Sequence, residues 1–430
     1  MAIYGPLAGS FEVSEDYPTV RPSLNLDFAA SRSMGPRAEF IRSSIGTYVD
    51  KDGVIKTATH NQPRFDHDPT TLESLGLLIE DSRTNLIKQS VITTVGWNNS
   101  ASQLLNNTTE TTAPDGTNTA CKYIPNNGDT GWVSVYNTPD TITVSSGTKY
   151  AYSVWAKPTH SDYTGFRING DIRDGGGIAI SANFVLSGDG SVSGTYDSAY
   201  IIKYPNGWYR CVATATADAN TTEEPAFQTT ANGDGTKGFY VWGYQVEVNA
   251  EASSYIPTSG STVIRQPDYA YIGQPEFSKW FNQSEGTFDV AYQLGSRNSN
   301  MRVCQISNSS ASSVIDLVAG SGGGSGGYWY ISNSNGVQFS SASITNSSVT
   351  NRKFRAVLAY KENDCAAQQN NITSGPTTDG SCELTKDMSR LLAYQVSNGG
   401  DHINGHLKFI RYYPKRITNA QVTLLSQENF

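Results

Sequence analysis

The segment Tyr150-Ala-Tyr-Ser-Val-Trp-Ala156 decides the fold class, because its large apolar side chains recur at every second position, as they do along a β-strand. Similar patterns run through residues 178–185, 209–215, 238–246, 287–293, 328–331, 354–360 and 407–413. Clusters rich in Gly, Asn, Asp and Pro, such as residues 187–190 and 205–207, separate these segments. Short strands with turn signals about every 8 to 12 residues predict β-sandwiches.

The composition of the chain agrees with an all-β protein of more than one domain. The chain has 430 residues, of which 37% are hydrophobic and 40 are Gly, and this length exceeds the size at which one core stops growing. The net charge of −8, without clustered Lys and Arg, argues against a nucleic-acid partner. No apolar run reaches the roughly 20 residues that span a bilayer, so no membrane insertion is expected.

The predicted organisation has five parts. They are an extended N-terminal arm (1–23), a lead segment (24–90), a first β-sandwich (91–260), a linker (261–275) and a second β-sandwich (276–430).

A capping box of Thr418 and Gln421 predicts one short helix over about 419–426. The pair Asn206-Gly207 predicts a hairpin turn with positive φ. Trp208 and Trp242 are large enough to fill the space between two sheets.

Four ordered pieces near the N-terminus are Leu26-Asp-Phe28, the segment from Phe40 to Ile55, Pro63-Arg-Phe-Asp-His-Asp-Pro69, and the segment from Gly76 to Leu86. In this order they resemble the leading module of phage head-spike and tail-fibre proteins. The resemblance implies a structural component of a tailed-phage particle, located on the virion as a head or tail spike, fibre or decoration. Residues 24–90 would attach it to the particle.

Two further resemblances concern the predicted sandwiches. The first sandwich resembles carbohydrate-binding jelly-roll modules through Trp97, Pro114-Asp-Gly-Thr117, and residues 150–157, 206–210, 241–247 and 254–262. Residues 405–422 resemble the last strand and following helix of laminin-G or concanavalin-like sandwiches. The fold expected from these likenesses is two consecutive jelly-roll sandwiches, preceded by the arm and lead segment.

These resemblances imply a set of partners and leave several functions open. The implied partners are other virion structural proteins of the capsid or tail, further copies of this chain, and host-surface carbohydrate. The chain lacks a secretory signal at its N-terminus, so we expect synthesis in a bacterial host cytoplasm. We expect no enzymatic activity. The alternatives are a soluble glycan-binding lectin, a polysaccharide-degrading tail enzyme and a capsid-stabilising cement protein.

Three motifs could carry chemistry, and each has a simpler structural interpretation. The Gly-rich stretch 319–327 precedes a strand rather than a helix, which favours a hairpin loop over a nucleotide site. Asp66-His67-Asp68 would place its carboxylates and imidazole on opposite faces of a strand, which favours salt bridging or a turn. His402 and His406 flank Asn404-Gly405, which favours a type I′ turn with two surface histidines.

Paired carboxylates are the remaining catalytic or metal-binding candidates. Asp171 and Asp174, and Glu223 with Glu224, could serve glycoside hydrolysis only if they face each other across a cleft. The Asp- and Gly-rich loop at 171–177 could instead hold calcium, or be a solvated loop. We therefore assign no catalytic, cofactor-binding or metal-binding residue.

Exposed aromatic side chains are the candidates for contact with a sugar. In a strand, Tyr328 and Tyr330 share one face while Trp329 takes the other. The candidates are Tyr163, Tyr196, Tyr328, Trp329 and Tyr330.

The cysteines do not predict a disulfide scaffold. Five are dispersed along the chain, at positions 121, 211, 304, 365 and 382, without a C-x-x-C motif. Cys365 and Cys382 could close a loop in an oxidising medium. Free thiols are the expectation.

Overall fold

The computed structural model describes residues 18–94, 96–129, 134–136, 141–170, 177–229, 232–295, 301–319, 327–341, 353–370, 375–393 and 402–427. Strands dominate these residues, which confirms the all-β class. No helix among them is long and apolar enough to cross a membrane. Most of the predicted arm lies outside the described residues.

The strands fall into three portions of the chain. The N-terminal portion holds helix α1 (Phe28–Ser31) and the strands β1 (Leu24–Asp27), β2 (Glu39–Ile41), β3 (Gly46–Val49), β4 (Ile55–Ala58), β5 (Phe65–His67), β6 (Ser74–Ile79) and β7 (Arg83–Asn85). The central portion holds β8 (Asn98–Asn99), β9 (Ser102–Leu105), β10 (Cys121–Pro125), β11 (Ser134–Tyr136), β12 (Ile142–Val144), β13 (Lys149–Pro158), β14 (Gly165–Asn169), β15 (Ser181–Val185), β16 (Ser191–Thr195), β17 (Ser198–Lys203), β18 (Tyr209–Thr216), β19 (Thr221–Glu223), β20 (Ala226–Thr229) and β21 (Phe239–Val248).

The C-terminal portion completes the set. It holds β22 (Val263–Arg265), β23 (Tyr269–Ile272), β24 (Glu285–Leu294), β25 (Met301–Ser307), β26 (Val314–Ala319), β27 (Gly327–Asn333), β28 (Gly336–Ser340), β29 (Lys353–Lys361), β30 (Cys365–Gln369), β31 (Thr377–Asp379), β32 (Arg390–Leu392), β33 (Gly405–Tyr413) and helix α2 (Asn419–Gln427). Short 3-10 turns lie at Pro205–Gly207 and Phe277–Lys279.

The central portion forms one β-sandwich, here called the central sandwich. Its sheets have the strand orders β17-β18-β13-β21-β10-β9 and β16-β15-β14-β20-β11-β8. Alternate residues of β13, such as Tyr152 and Val154, point into the core between the sheets. There they join Phe166 and Phe227, whose rings stack with centroids 5.7 Å apart. The sequence alternation therefore predicted this core correctly.

The N- and C-terminal portions together form a second sandwich, here called the terminal sandwich. Its sheets have the orders β31-β30-β29-β24-β33-β6-β5, with β1 also pairing to β33, and β2-β23-β32-β25-β26-β27-β28. Leu24 of β1 lies opposite Tyr412 of β33, and Phe40 of β2 lies opposite Ala270 of β23. The segments predicted as 24–90 and 276–430 therefore share both sheets, and the central sandwich is inserted between them.

A third apolar cluster joins the two sandwiches. The β3–β4 hairpin contributes Val49 and Ile55, which pack against the outer face of the central sheet that contains β13. Trp155, Trp208 and Trp242 lie in this cluster and not between the central sheets. The prediction that Trp208 and Trp242 lie between the two central sheets is therefore wrong. They lie on the outer face of one sheet, which would be exposed to solvent if the β3–β4 hairpin did not cover it.

Local turn and cap predictions agree with the structure. Asn206 and Gly207 have φ of 58° and 77° in the turn between β17 and β18. The Gln421 N–H donates to Thr418 Oγ1 at 3.2 Å, and the Thr418 N–H donates back to Gln421 Oε1 at 3.0 Å. Helix α2 thus begins with the predicted capping box, and its Val422 packs on β29.

The state of two cysteines differs from the expectation. Cys365 of β30 and Cys382 are joined by a disulfide and are fully buried, with their Cα atoms 6.2 Å apart. Cys121, Cys211 and Cys304 are free and buried, as expected. Sequence spacing could not reveal the pair, because strand pairing brings position 382 beside β30.

Candidate ligand-binding cavity between the two sandwiches

Five buried charged residues form a network at the junction of the sandwiches, here called the junction cluster. Arg42 Nη1 donates to Asp268 Oδ1 at 3.0 Å, and Arg64 donates to the other oxygen of the same carboxylate. Arg64 Nη1 lies 2.7 Å from Glu80 Oε2, and Arg265 Nη1 lies 3.5 Å from that oxygen. All five side chains are buried, and the two carboxylates are ion-paired with the three guanidinium groups away from water.

The electrostatics of Glu80 show how strongly the junction cluster is coupled. Burial alone would raise the pKa of Glu80, but the guanidinium groups of Arg265 and Arg64 hold it well below its usual range. Ser254 adds hydrogen bonds from its N–H at 2.8 Å and its Oγ at 2.6 Å. Glu80 therefore stays ionised and ties the N-terminal portion to the segment that follows β21.

The junction cluster brings together residues from three of the N-terminal sequence pieces. Arg42, Arg64 and Glu80 come from three of those pieces and converge in space through β2, β5 and β6. Asn85, at the end of β7, accepts hydrogen bonds from the N–H groups of Ile87 and Val246. Sequence reasoning missed this cluster. The available signal was the occurrence of Arg42, Arg64 and Glu80 beside apolar strand residues, since charged side chains there must be paired if they are buried.

A cavity of about 350 Å³ lies beside the junction cluster, between the two sandwiches. The terminal sandwich and the β3–β4 hairpin contribute one part of its lining, and the central sandwich contributes the other. The lining side chains with polar or aromatic groups are Thr47, Tyr48, Asp66, His67, Asp68, Glu80, Trp155, Tyr204, Arg210, Asn249, Glu251, Ser253, Ser254, Tyr255, Asn404 and His406. Its volume falls within the range of small-molecule sites.

The Asp66-His67-Asp68 motif forms one wall of the cavity. Asp66 accepts a hydrogen bond from the Val49 N–H at 2.6 Å and pairs with His406 Nε2 at 2.8 Å. Asp68 Oδ1 accepts from the N–H groups of Thr70 and Thr71. Salt bridging or a turn was predicted for this motif; Asp66 makes the first and Asp68 the second, and together they fix the wall of the cavity.

Arg210 forms the opposite side of the cavity. Its guanidinium carbon lies 4.6 Å from the centre of the Trp155 ring, in cation–π geometry. Nη2 donates to Ser253 O at 2.7 Å and to Ser153 Oγ at 3.2 Å. Burial raises the pKa of the neighbouring Tyr204 phenol to about 12, so this side chain stays a neutral hydrogen-bonding group.

The aromatic residues predicted to contact sugar do not come together in this cavity. Tyr163 is 4% exposed in the core of the central sandwich, and Trp329 is 1% exposed in the core of the terminal sandwich. Neither side chain presents a sugar-binding surface. Tyr196, Tyr328 and Tyr330 are half-buried, and the last two share a face of β27 as predicted. Sugar contact at these three tyrosines stays a prediction.

The paired glutamates Glu223 and Glu224 do not line the cavity. Glu223 is fully buried and accepts a hydrogen bond from the Ile178 N–H at 3.1 Å, and its neighbour Glu224 is also buried. Asp171 and Asp174, with the proposed calcium loop, lie outside the described residues, as does most of the Gly-rich stretch. The strands around that stretch pair as a hairpin, with Ala319 opposite Gly327.

The two histidines were placed wrongly by the sequence analysis. His402 is 1% exposed and pairs with Asp81 Oδ1 at 3.0 Å, while His406 is half-buried against Asp66. Asn404 has a φ of 43°, but Gly405 already begins β33. His402 is buried and His406 half-buried because β33 pairs with β6, which brings the acidic residues of the N-terminal portion beside them.

Comparison with known proteins gives distant structural likenesses. No family model matches the chain, and no curated protein matches it. Among solved structures, the CBM40 of the Ruminococcus gnavus IT-sialidase bound to alpha2,3 sialyllactose matches with a TM-score of 0.29 and 11% identity, over 36% of this chain and 88% of that one.

Two further solved structures cover more of the chain. The LG1-3 region of the laminin alpha2 chain matches with a TM-score of 0.24 and 11% identity, over 67% of this chain and 66% of that one. The CBM22-1-CBM22-2 tandem domain from Paenibacillus barcinonensis Xyn10C matches with a TM-score of 0.25 and 7% identity, over 79% and 99%. At these scores the likenesses carry no argument about function.

Proposed function

We propose that the protein is a structural component of a tailed bacteriophage particle, displayed on its head or tail, and that it adheres to host-surface glycans through the cavity between the two sandwiches. The cavity is the observation that carries the adhesion part. Its size suits one or a few sugar rings, and it combines aromatic walls with polar groups that can bind hydroxyls. The virion part is supported by the four ordered N-terminal sequence pieces.

A glycan array tests the adhesion part. The full chain is compared with Ala252→Trp, which places an indole in the cavity lining, and with Ala30→Trp, an exposed position on α1 outside that lining. We expect the wild type and Ala30→Trp to bind the same glycans and Ala252→Trp to lose them. Equal binding by Ala252→Trp would place the glycan site elsewhere. Binding of no glycan by the wild type would refute adhesion.

Immunogold labelling of intact phage particles with antibody against this chain tests the virion part. Gold over heads or tails is the expected result and would also say which surface carries the protein. Unlabelled particles, with the antibody shown to recognise the purified chain, would contradict a virion role and leave the soluble lectin in its place.

A polysaccharide-degrading enzyme is the second candidate, and one observation favours it. Asp66 and His406 form a carboxylate–imidazole pair inside the cavity, and such groups can transfer protons to a substrate. We propose binding without cleavage, because Asp66 and Asp68 both accept hydrogen bonds from backbone amides of the fold. New reducing ends from a bound polysaccharide, lost in Asp66→Asn, would favour the enzyme.

A further inference from the structure

We infer that the glycan bound in this cavity carries a carboxylate and that Arg210 receives it; this inference rests on the glycan-binding function proposed above. Arg210 lines the cavity and is 8% exposed. A guanidinium so far removed from water requires compensation by hydrogen bonds and by an opposite charge.

The contacts of Arg210 leave part of that requirement unmet. Nη2 is occupied by Ser253 O and Ser153 Oγ, and the face of the group stacks on Trp155. Within the part of the chain that the structure describes, Nε is buried without a hydrogen-bond partner, Nη1 donates no hydrogen bond, and the guanidinium forms no ion pair. The stacked group is therefore held in one orientation, with Nη1 left to donate to a ligand.

Other buried arginines of the chain show what this position lacks. Arg355 donates through Nε and Nη2 to both oxygens of Asp289, at 2.8 Å each. Arg64 is likewise paired with Asp268 and Glu80. Arg210 has the burial of these residues but no carboxylate in direct contact, and the buried Glu247 interacts with it electrostatically. A carboxylate of the ligand would supply the missing partner through charge-assisted hydrogen bonds.

The acidic residues of the cavity limit the charge of the ligand. Asp66 is paired with His406, Asp68 accepts turn amides, and Glu80 belongs to the junction cluster. Glu251 is the fourth acid in the lining. A single carboxylate adds less repulsion beside these acids than a phosphate, which carries up to about two charges at neutral pH. An acidic sugar with one carboxylate per ring is therefore the class that fits.

The test compares acidic oligosaccharides with the same molecules after reduction of each carboxyl to a hydroxymethyl group. Hexuronic-acid and nonulosonic-acid oligosaccharides are displayed beside their reduced counterparts, and dissociation constants are measured for the full chain. We expect the acidic forms to bind at least about tenfold more tightly, as one charge-assisted contact would give. This comparison needs no variant and so does not depend on the folding of a mutant.

Variants then locate the carboxylate. Arg210→Gln should weaken binding of the acidic form about tenfold and leave the reduced form unchanged, whereas Arg210→Lys should retain an intermediate affinity. Arg21→Gln, at an exposed position, removes the same charge elsewhere and should change neither. Unchanged binding of the acidic form by a folded Arg210→Gln would overturn the role of Arg210.

The failures of the two proposals are distinguishable. If the wild type binds acidic and reduced oligosaccharides equally and Ala252→Trp loses both, the cavity binds glycans but the carboxylate inference is wrong. If the wild type binds neither form nor any other glycan, the proposed adhesion and the inference both fail.

Discussion

Arg42 and Asp268 form a fully buried ion pair, with Nη1 of one 3.0 Å from Oδ1 of the other, although 226 residues separate them in sequence. The pair joins β2 to the connection between β22 and β23, on either side of the inserted central sandwich. Arg42 also donates to the carbonyl oxygens of Thr59 and Gln62. Asp268 is therefore one of the points at which the N-terminal portion is tied to the C-terminal portion.

Replacing Asp268 with Asn should destabilise the protein strongly. The change leaves Arg42 and Arg64 buried without that carboxylate, and breaking a buried pair in this way costs about 3 to 5 kcal/mol. Denaturant unfolding measures the loss. Asp197→Asn removes an exposed partner of Lys149 and should cost about 1 kcal/mol or less. Similar losses in the two variants would contradict the importance of the junction cluster.

Asp316 should make stability depend on pH. Burial raises its pKa to about 6, opposed by Arg302 and by a hydrogen bond from Gln305. The unfolded chain releases this proton near pH 4, so the folded state binds more protons between about pH 4 and 6 and stability falls as pH rises through that window.

Comparison with Asp316→Asn isolates this effect. The free energy of unfolding of the wild type, relative to that of the variant, should decrease by about 2 kcal/mol between pH 4 and pH 7, from a rise of about two pKa units. Denaturant unfolding at several pH values measures the difference. A difference that stays constant with pH would show that Asp316 is not perturbed by burial.

The Cys365–Cys382 disulfide should stabilise the terminal sandwich. It links positions 17 residues apart, and closing a loop of this length is worth about 3 kcal/mol on the chain-entropy account. The double variant Cys365→Ser/Cys382→Ser should lose about that much, while Cys121→Ser tests the removal of a free buried thiol. Thiol titration of the denatured wild type should find the three free cysteines and not all five.

Gly53 should be needed for the contact between the β3–β4 hairpin and the central sandwich. A Cβ at this position would lie 2.9 Å from Pro205 Cδ and 3.1 Å from Leu72 Cδ2, so Ala must displace the hairpin. Gly147 has a φ of 77°, close to the 75° of Gly53, but nothing within 4 Å of such a Cβ. Gly53→Ala should therefore cost about 1 to 3 kcal/mol more than Gly147→Ala in thermal or denaturant unfolding. Equal costs would mean that backbone strain alone is responsible.

Local features of the fold were predictable from sequence because they depend on short-range chemistry. The alternation around Tyr152 set the strand β13 and its inward face, and Thr418 with Gln421 set the start of α2. The turn at Asn206 follows from the tolerance of Asn and Gly for positive φ. Each of these signals is contained within a few residues.

The insertion of the central sandwich and the cavity both depend on contacts between residues that are far apart in the sequence. β33 pairs with β1 and β6, which lie more than three hundred residues earlier in the chain. Neither segment contains a local sequence signal that identifies the other as its partner. The same pairing buries His402 and brings His406 beside Asp66. The sequence places Arg210 in a strand and among the residues that carry the carbohydrate-binding-module resemblance. It does not show the orientation of Arg210, because the segment around Ser253 that orients it comes from elsewhere in the chain.

The central claim is that the cavity between the two sandwiches binds glycan, and a crystal structure of the full chain with the tightest oligosaccharide from the array tests it most directly. The account predicts electron density for a sugar between the Asp66 wall and Arg210, with a carboxylate oxygen within hydrogen-bonding distance of the guanidinium. Sugar density confined to another surface, such as the face of β27 that carries Tyr328 and Tyr330, would contradict it.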